Sequence, residues 1–510
     1  MYTLPKAGLL ALLPLCTVAH AWQDDPTYQR PEGLADTEPV ADADTGGPDD
    51  AVMLQQDQTG TLIGYDRTWR GLKRLERIQF LSNIQTIRNS VPLFPLKEAE
   101  APIDFSTPRP APLGRSKVDP ILGAPLESVM NPIRNVEAAL ARDYGINLGI
   151  YYTLLYQHVT DSVDGMPSDF GTGRLDVNMV WNLWEYPVQG RPDQSAVGHG
   201  LVGILVRQGN QIGVPNDVST REAAGSIQGL DSLYTGQYGG SATLNLLYYQ
   251  QGFLNDRLVL SVGKVHPNQY IGLNFWANDE SRQFLAGPFD GIQTLGPSQG
   301  SYQPGAALQV IPVDWMFVNA MITDALGTPN TMFSTFGEGY YWSAVEAGFV
   351  IPPFSEDFEA PSSLSFIWSR QNLDALATSP RRETSDSLAV QFQGHLSRDL
   401  GIWAQGGIAD EHMSEIESEF SFGIGLERPL GREGDLLGMA FNWSRPSSAL
   451  PPVAPGRNGP GEQSMMELFY RIQLTSSCQL TPDLQIVFDP GDRASGSTPL
   501  IIGLRLTTDF

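Results

Sequence analysis

The sequence predicts an all-β protein, a transmembrane antiparallel β-barrel of sixteen strands with a disordered and helical N-terminal extension. Three observations predict it. Long segments alternate apolar and polar residues with a period of two. Beyond the first 21 residues, no stretch approaches the roughly 18 uninterrupted apolar residues that a spanning helix needs. The candidate strands number sixteen, an even count as antiparallel closure requires.

The chain opens with one base, Lys6, then the apolar run 7–18 and Ala19-His20-Ala21, a small-x-small cleavage pattern. Residues 1–21 are therefore expected to be a secretory signal, leaving Trp22 as the first mature residue. Cys16 falls inside this signal, and Leu13-Pro14-Leu15 before it makes a poor lipoprotein acceptor. Cys478 is then the single mature cysteine, which excludes an internal disulfide and a cysteine metal cluster. Formal charge is −25, and loss of Lys6 makes it −26. So acidic a chain repels nucleic acid and anionic surfaces. The charge fits solvated loops, or a vestibule that favours neutral or cationic solutes.

Residues 22–63 carry ten acidic side chains against one base, Arg30. Such a segment cannot bury enough apolar surface to order itself. Residues 64–130 form the second part of the extension. Its basic stretch to Ser90 interleaves Arg67, Arg70, Lys73, Arg74, Arg77 and Arg88 with Trp69, Leu72, Leu75, Ile78, Leu81, Ile84 and Ile87. That pattern predicts a helix, but an apolar period of three drifts around a helix and holds no single face. A periplasmic arm and a linker helix resting on the barrel are both compatible with it. A Pro-rich passage, 91–132, follows and leads to a short helix over 136–142.

Residues 131–510 are assigned to the barrel, with strands expected at 146–157, 172–184, 199–208, 242–250, 257–264, 305–310, 314–322, 340–350, 362–369, 386–396, 400–409, 418–426, 435–444, 464–476, 483–488 and 499–509. The last strand shows the logic. Leu500, Ile502, Leu504, Leu506, Thr508 and Phe510 fall on one face, and Gly503, Arg505, Thr507 and Asp509 on the other. A β-sandwich alternates in the same way. Runs of nine to twelve residues with aromatics near their ends favour strands tilted through hydrocarbon, with the apolar face toward lipid and the polar face toward an aqueous lumen. Sixteen strands are expected to leave a water channel instead of a packed interior.

Several segments resemble the carbohydrate-selective porins of the OprB type. They are Glu467-Leu-Phe-Tyr470, Leu480-Thr-Pro482-Asp483-Leu484-Gln485, Asp489-Pro490-Gly491, and Gly503-Leu504-Arg505 before the terminal Phe510. Gly263-Lys264, the run 275–281, Gln283-Phe284-Leu285 and Arg142-Asp143-Tyr144-Gly145-Ile146 belong to the same likeness, which covers roughly residues 130–510. The resemblance implies a trimeric outer-membrane channel of a Gram-negative bacterium. It would pass glucose-like sugars by facilitated diffusion without a cofactor. Phe510, with Leu506 and Leu504 on its strand, would be the signal read by the barrel-assembly machinery.

A sugar-selective constriction needs aromatic faces for pyranose C–H surfaces and charged or amide groups for hydroxyls. The long insertion 268–303 supplies candidates in Trp276, Asp279, Glu280, Arg282, Phe284 and Asp290. On the strands, Arg174, Asp176, Trp184, Arg207 and Lys264 are expected to face the lumen. Enzymatic readings find little footing. The six histidines form no His-Glu-x-x-His pattern, and no Gly-x-Ser-x-Gly elbow is present. The alternatives kept open are a soluble periplasmic protein that binds or cleaves glycans, a general porin, and a polysaccharide export pore. Extraction without detergent would exclude the barrel.

Overall fold

A computed structural model describes residues 135–510, apart from short stretches of which 187–197, 352–361 and 451–460 are the longest. The signal, the acidic segment, the basic helix and the Pro-rich passage lie outside the described residues.

Sixteen strands close into one antiparallel barrel in which every strand pairs with its sequence neighbours and β1 pairs with β16. They are β1 (Ile146–Val159), β2 (Asp169–Tyr186), β3 (Gly198–Gln211), β4 (Ala242–Phe253), β5 (Leu258–Val265), β6 (Gln303–Val313), β7 (Met316–Asp324), β8 (Tyr341–Ile351), β9 (Ser362–Gln371), β10 (Ser385–His395), β11 (Leu400–Ala409), β12 (Ile416–Glu427), β13 (Leu436–Pro446), β14 (Gln463–Gln473), β15 (Cys478–Phe488) and β16 (Leu500–Asp509). Closure removes every free edge, so all ladder groups are paired at the depth of the hydrocarbon. The sandwich alternative is excluded by the same topology.

The expected faces hold. Leu388, Val390, Met439, Leu468, Ile502 and Leu504 are exposed on the outer surface, while Gln391, Asn442, Glu467, Arg505 and Thr507 are buried inside. Strand fifteen begins at Cys478, five residues before the expected start. Proline cannot donate to a ladder and is uncommon inside strands. In the barrel Pro482 opposes Leu504 and the pairing continues through it.

Before β1, helical residues end at Gly145, whose φ of +67° is left-handed. Its N–H donates to the Ala141 carbonyl at 3.1 Å, and its own carbonyl accepts from Asn182 N–H at 2.9 Å. A side chain there would meet the Asn182 carbonyl, so glycine alone suits this joint between helix and wall.

The two rims differ. One carries short turns and both the start of β1 and Phe510; the other carries the longer connections, including 212–241 and 266–302. Short turns belong to the periplasmic side of such barrels and long loops to the outer side.

The described residues of these two long connections fold inside the barrel and line it. Buried inward side chains from successive strands form an apolar belt: Val180, Leu201, Tyr248, Val265, Ala307, Met321, Trp342, Ile367 and Ala389 on one half. Trp403, Leu436, Phe469, Val487, Ile501 and Val159 continue it on the other. Tyr270, Ile271, Ile292 and Leu295 cover the first half, and Trp276, Phe284, Phe289, Ala223 and Leu230 the second. The expectation of a purely polar, unpacked interior is therefore corrected. At this level the wall is apolar because a second layer of protein, and not water, lies against it.

A charge on the outer face is expected to be costly. Val390→Arg, on the exposed face of β10, should lower barrel stability in lipid by about 2–4 kcal/mol if that position lies near the midplane. Urea titration in vesicles, read by the heat-modifiable gel shift, measures it.

Candidate functional site: the inserted segment

The segment between β5 and β6 travels along the inner wall over its described residues, 266–296. It has little regular structure, so its backbone groups need partners from the wall. Three inward glutamates supply acceptors. Glu467 on β14 takes the N–H groups of Leu285 (2.6 Å) and Ala286 (2.9 Å). Glu419 on β12 takes Thr294 N–H at 3.0 Å, and Glu346 on β8 takes Gly272 N–H at 3.2 Å. Amides answer the carbonyls: Gln391 donates to Gly272, Gln393 to Leu273, and Gln405 to Pro288. Trp342 donates its indole N–H to the Leu295 carbonyl at 2.7 Å.

The second inserted connection is joined to the first. Gly287 N–H donates to the Gly229 carbonyl (3.0 Å) and Ser232 N–H to Leu285 (2.9 Å). Gln157 and Gln485 both donate to the Leu230 carbonyl. A one-turn helix, Thr220–Ala224, begins this connection with a capping box between Ser219 and Glu222.

At the tip of the segment, Asp279 to Gln283, most of the expected charged residues meet. Arg174 pairs with Asp176 (3.0 Å) and Glu280 (2.6 Å), while Arg207 pairs with Asp176 (2.8 Å) and Glu280 (3.2 Å). Two acids and two bases thus alternate in a closed ring. Arg207 also lies 5.3 Å from the centre of the Tyr302 ring and donates to its hydroxyl. Burial would raise the Glu280 carboxyl, but Arg174 and Arg207 outweigh it and hold it at about 2. Nearby Asp290 is pushed well above the usual carboxylate range by burial and by the Glu280 charge.

Other expected residues fall elsewhere. Trp276 is 3% exposed and rests on Gly401 and Gly425, where any side chain would overlap its ring. Phe284 is 1% exposed and packs edge-on against Phe469 at 4.9 Å. Both aromatics fasten the segment to the wall and present no face to a solute. Trp184 points outward instead of inward. A register shift between Asn182 and Trp184 reverses the alternation, and its ring lies 5.9 Å from Tyr249 on the outer surface. Lys264 is almost wholly buried at the end of β5, directly after Gly263, whose φ is +141°.

Sequence reasoning did not single out Glu346, Glu419, Tyr151, Asp231 or Asp509 as site residues. For Glu346, Glu419 and Asp509 the available signal was a carboxylate at a polar-face position of a strand. Glu467, Asp483, Gln485 and Arg505 appeared only as marks of resemblance. In the structure Glu467 and Arg505 hold the first inserted connection, Arg505 donating to the carbonyls of Glu280 (2.5 Å) and Gln283 (2.7 Å), while Gln485 donates to the second and to Asp483.

Two outcomes follow from this geometry. Glu467→Leu removes the acceptor of two buried N–H groups, at about 1–3 kcal/mol. Hydrogen exchange at Leu285 and Ala286 should then quicken by roughly 10- to 100-fold. Asp231 is pushed up to about 6 by burial, partly offset by the Leu233 N–H, Arg174 and Thr172. Its raised value favours the folded state fully below the unfolded value near 3.8, and that contribution disappears as pH rises through about 6. Asp231→Asn should therefore match the parent near pH 4 and exceed it at pH 7.5, by roughly 1–3 kcal/mol. Thermal transitions at the two pH values test this.

The comparisons with known proteins agree with this architecture. Residues 355–510 match the family described as "Carbohydrate-selective porin, OprB family". Porin AaxA of Chlamydia abortus (strain DSM 27085 / S26/3) is 22% identical over 408 residues, covering 75% of this chain and 84% of that protein. Porin AaxA of Chlamydia caviae (strain ATCC VR-813 / DSM 19441 / 03DC25 / GPIC) is 22% identical over 338 residues, 64% of this chain and 67% of its own length. The high-pH structure of Pseudomonas putida OprB superposes with a TM-score of 0.57 at 13% identity, covering 74% of this chain and 97% of that one, which is a likeness of fold. The family match thus covers the C-terminal third of the chain, and the closed sixteen-stranded barrel has the fold of a porin.

Proposed function

We propose that the barrel carries small neutral carbohydrates across the outer membrane by passive diffusion past the tip of the inserted segment. The observation that carries this reading is the compensated ring in which buried Arg174 and Asp176 hold Arg207 and Glu280, the two members whose side chains keep partial exposure to a passing solute. Guanidinium and carboxylate groups exchange hydrogen bonds with hydroxyls readily. Because their charges cancel locally, they neither concentrate nor exclude one sign of ion strongly. Weak, replaceable contacts of this kind let a solute enter and also leave. The description of the matched family supports the same class of solute.

The remaining parts of the proposal concern assembly. Residues 1–21 act as an export signal, and residues 22–130 form a periplasmic extension. Three copies associate through their outer faces. The exposed row Leu504, Ile502 and the strand ending at Phe510 is the element the assembly machinery reads.

Purified protein in planar bilayers should conduct ions, and millimolar glucose should reduce the current in part. A channel that conducts but ignores every sugar tested is a general porin, and the carbohydrate reading then fails.

A further inference from the structure

β16 does more than close the barrel. Its inward row, Arg505, Thr507 and Asp509, lies at every second position and meets the tip of the inserted segment at each one. Arg505 holds the Glu280 and Gln283 carbonyls, and Thr507 Oγ1 donates to the Ser281 carbonyl at 2.8 Å. Asp509 accepts two hydrogen bonds from Arg282 Nη2, both 2.9 Å long. The Arg282 guanidinium lies 5.0 Å from the centre of the Tyr151 ring, and Asp279 stands 3.8 Å from its Nη1.

Tyr151 and Asp509 are partners in the β1–β16 ladder. Asp509 N–H donates to the Ser477 carbonyl (2.8 Å) and Phe510 N–H to Ile150 (2.9 Å). The seat for Arg282 is thus complete only when the first and last strands are paired. It is also the mirror of the neighbouring ring: there a loop acid, Glu280, meets wall bases, and here a loop base, Arg282, meets a wall acid. Reciprocal pairs fix both the depth and the orientation of the tip, because shifting it to satisfy one pair stretches the other. Asp509 is 5% exposed, so its loss leaves a largely dehydrated guanidinium beside Tyr151.

We propose that Asp509 is the positioning residue of the constriction, acting through Arg282, so that the strand which closes the barrel also sets the aperture. The aperture is then defined at the last step of assembly, after β16 has found β1.

The test compares single-channel conductance of the purified full chain with Asp509→Asn, Asp509→Glu, Arg282→Gln and the double variant Asp509→Asn/Arg282→Gln. The heat-modifiable gel shift reports that each barrel is closed. Asp509→Asn and Arg282→Gln should each raise conductance roughly 1.5- to 2-fold as the tip loosens. The double variant should exceed neither single, since both remove one interaction, and Asp509→Glu should recover most of the parental value. A merely structural role in barrel closure would alter the gel shift without this pattern. The proposal is overturned if closed Asp509→Asn barrels conduct like the parent, or if the two single effects add. Should Asp509→Asn not close, Arg282→Gln leaves β16 intact, and parental conductance in that variant overturns the proposal equally. Absence of conductance in the parent itself would instead sink the channel reading on which this rests.

Discussion

An irregular segment can lie at membrane depth only where protein, instead of lipid or water, answers its backbone polar groups. In this barrel the answer comes from carboxylates and amides on the inner faces of the strands. Glu346, Glu419 and Glu467 accept loop N–H groups, and Gln391, Gln393, Gln405 and Arg505 donate to loop carbonyls. A carboxylate taken out of water is costly unless it is hydrogen-bonded, so these glutamates stabilise the interior only together with the loop. The dependence runs both ways. Without the loop the glutamates would lose the N–H partners they hold, and without the glutamates the loop would carry unpaired amides.

That mutual dependence explains why the interior has two chemical layers. Against the wall, Trp276, Phe284, Phe289 and Leu295 bury apolar surface. On the tip, Asp279 to Gln283 are polar and meet the charged strip on β16, β1, β2 and β3. Hydrophobic burial supplies most of the attachment, at roughly 25 cal/mol per Å². Direction comes from the ion pairs and hydrogen bonds, which tolerate only a narrow range of positions. The attachment needs both, since an apolar seal alone would allow the tip to slide.

The strands were legible because period-two alternation is a local property, and each of the sixteen was found near its place. Boundaries moved where a local rule met a global one, as at Pro482, which a closed ladder accommodates. Arg174, Asp176, Arg207 and Glu280, which meet at the tip of the segment, could be singled out as charged residues at inward strand positions or in the long insertion. Trp276, Phe284 and Trp184 were misplaced for two reasons. Aromatic character does not reveal whether a ring faces a solute or a wall glycine, and a single bulge in β2 inverts every side chain beyond it.

The sequence by itself determined the barrel and which face of each strand turns outward, since alternation and strand length are written residue by residue. It also carried, in Glu467, Asp483, Gln485 and Arg505, the marks of the family to which those residues point. Tertiary structure alone decided what those same residues do. Glu467 and Leu285 are 182 positions apart, and Arg282 and Asp509 are 227 apart. No local periodicity encodes such pairings. They exist because closure brings β14, β16 and β1 around a segment that leaves the barrel wall between β5 and β6.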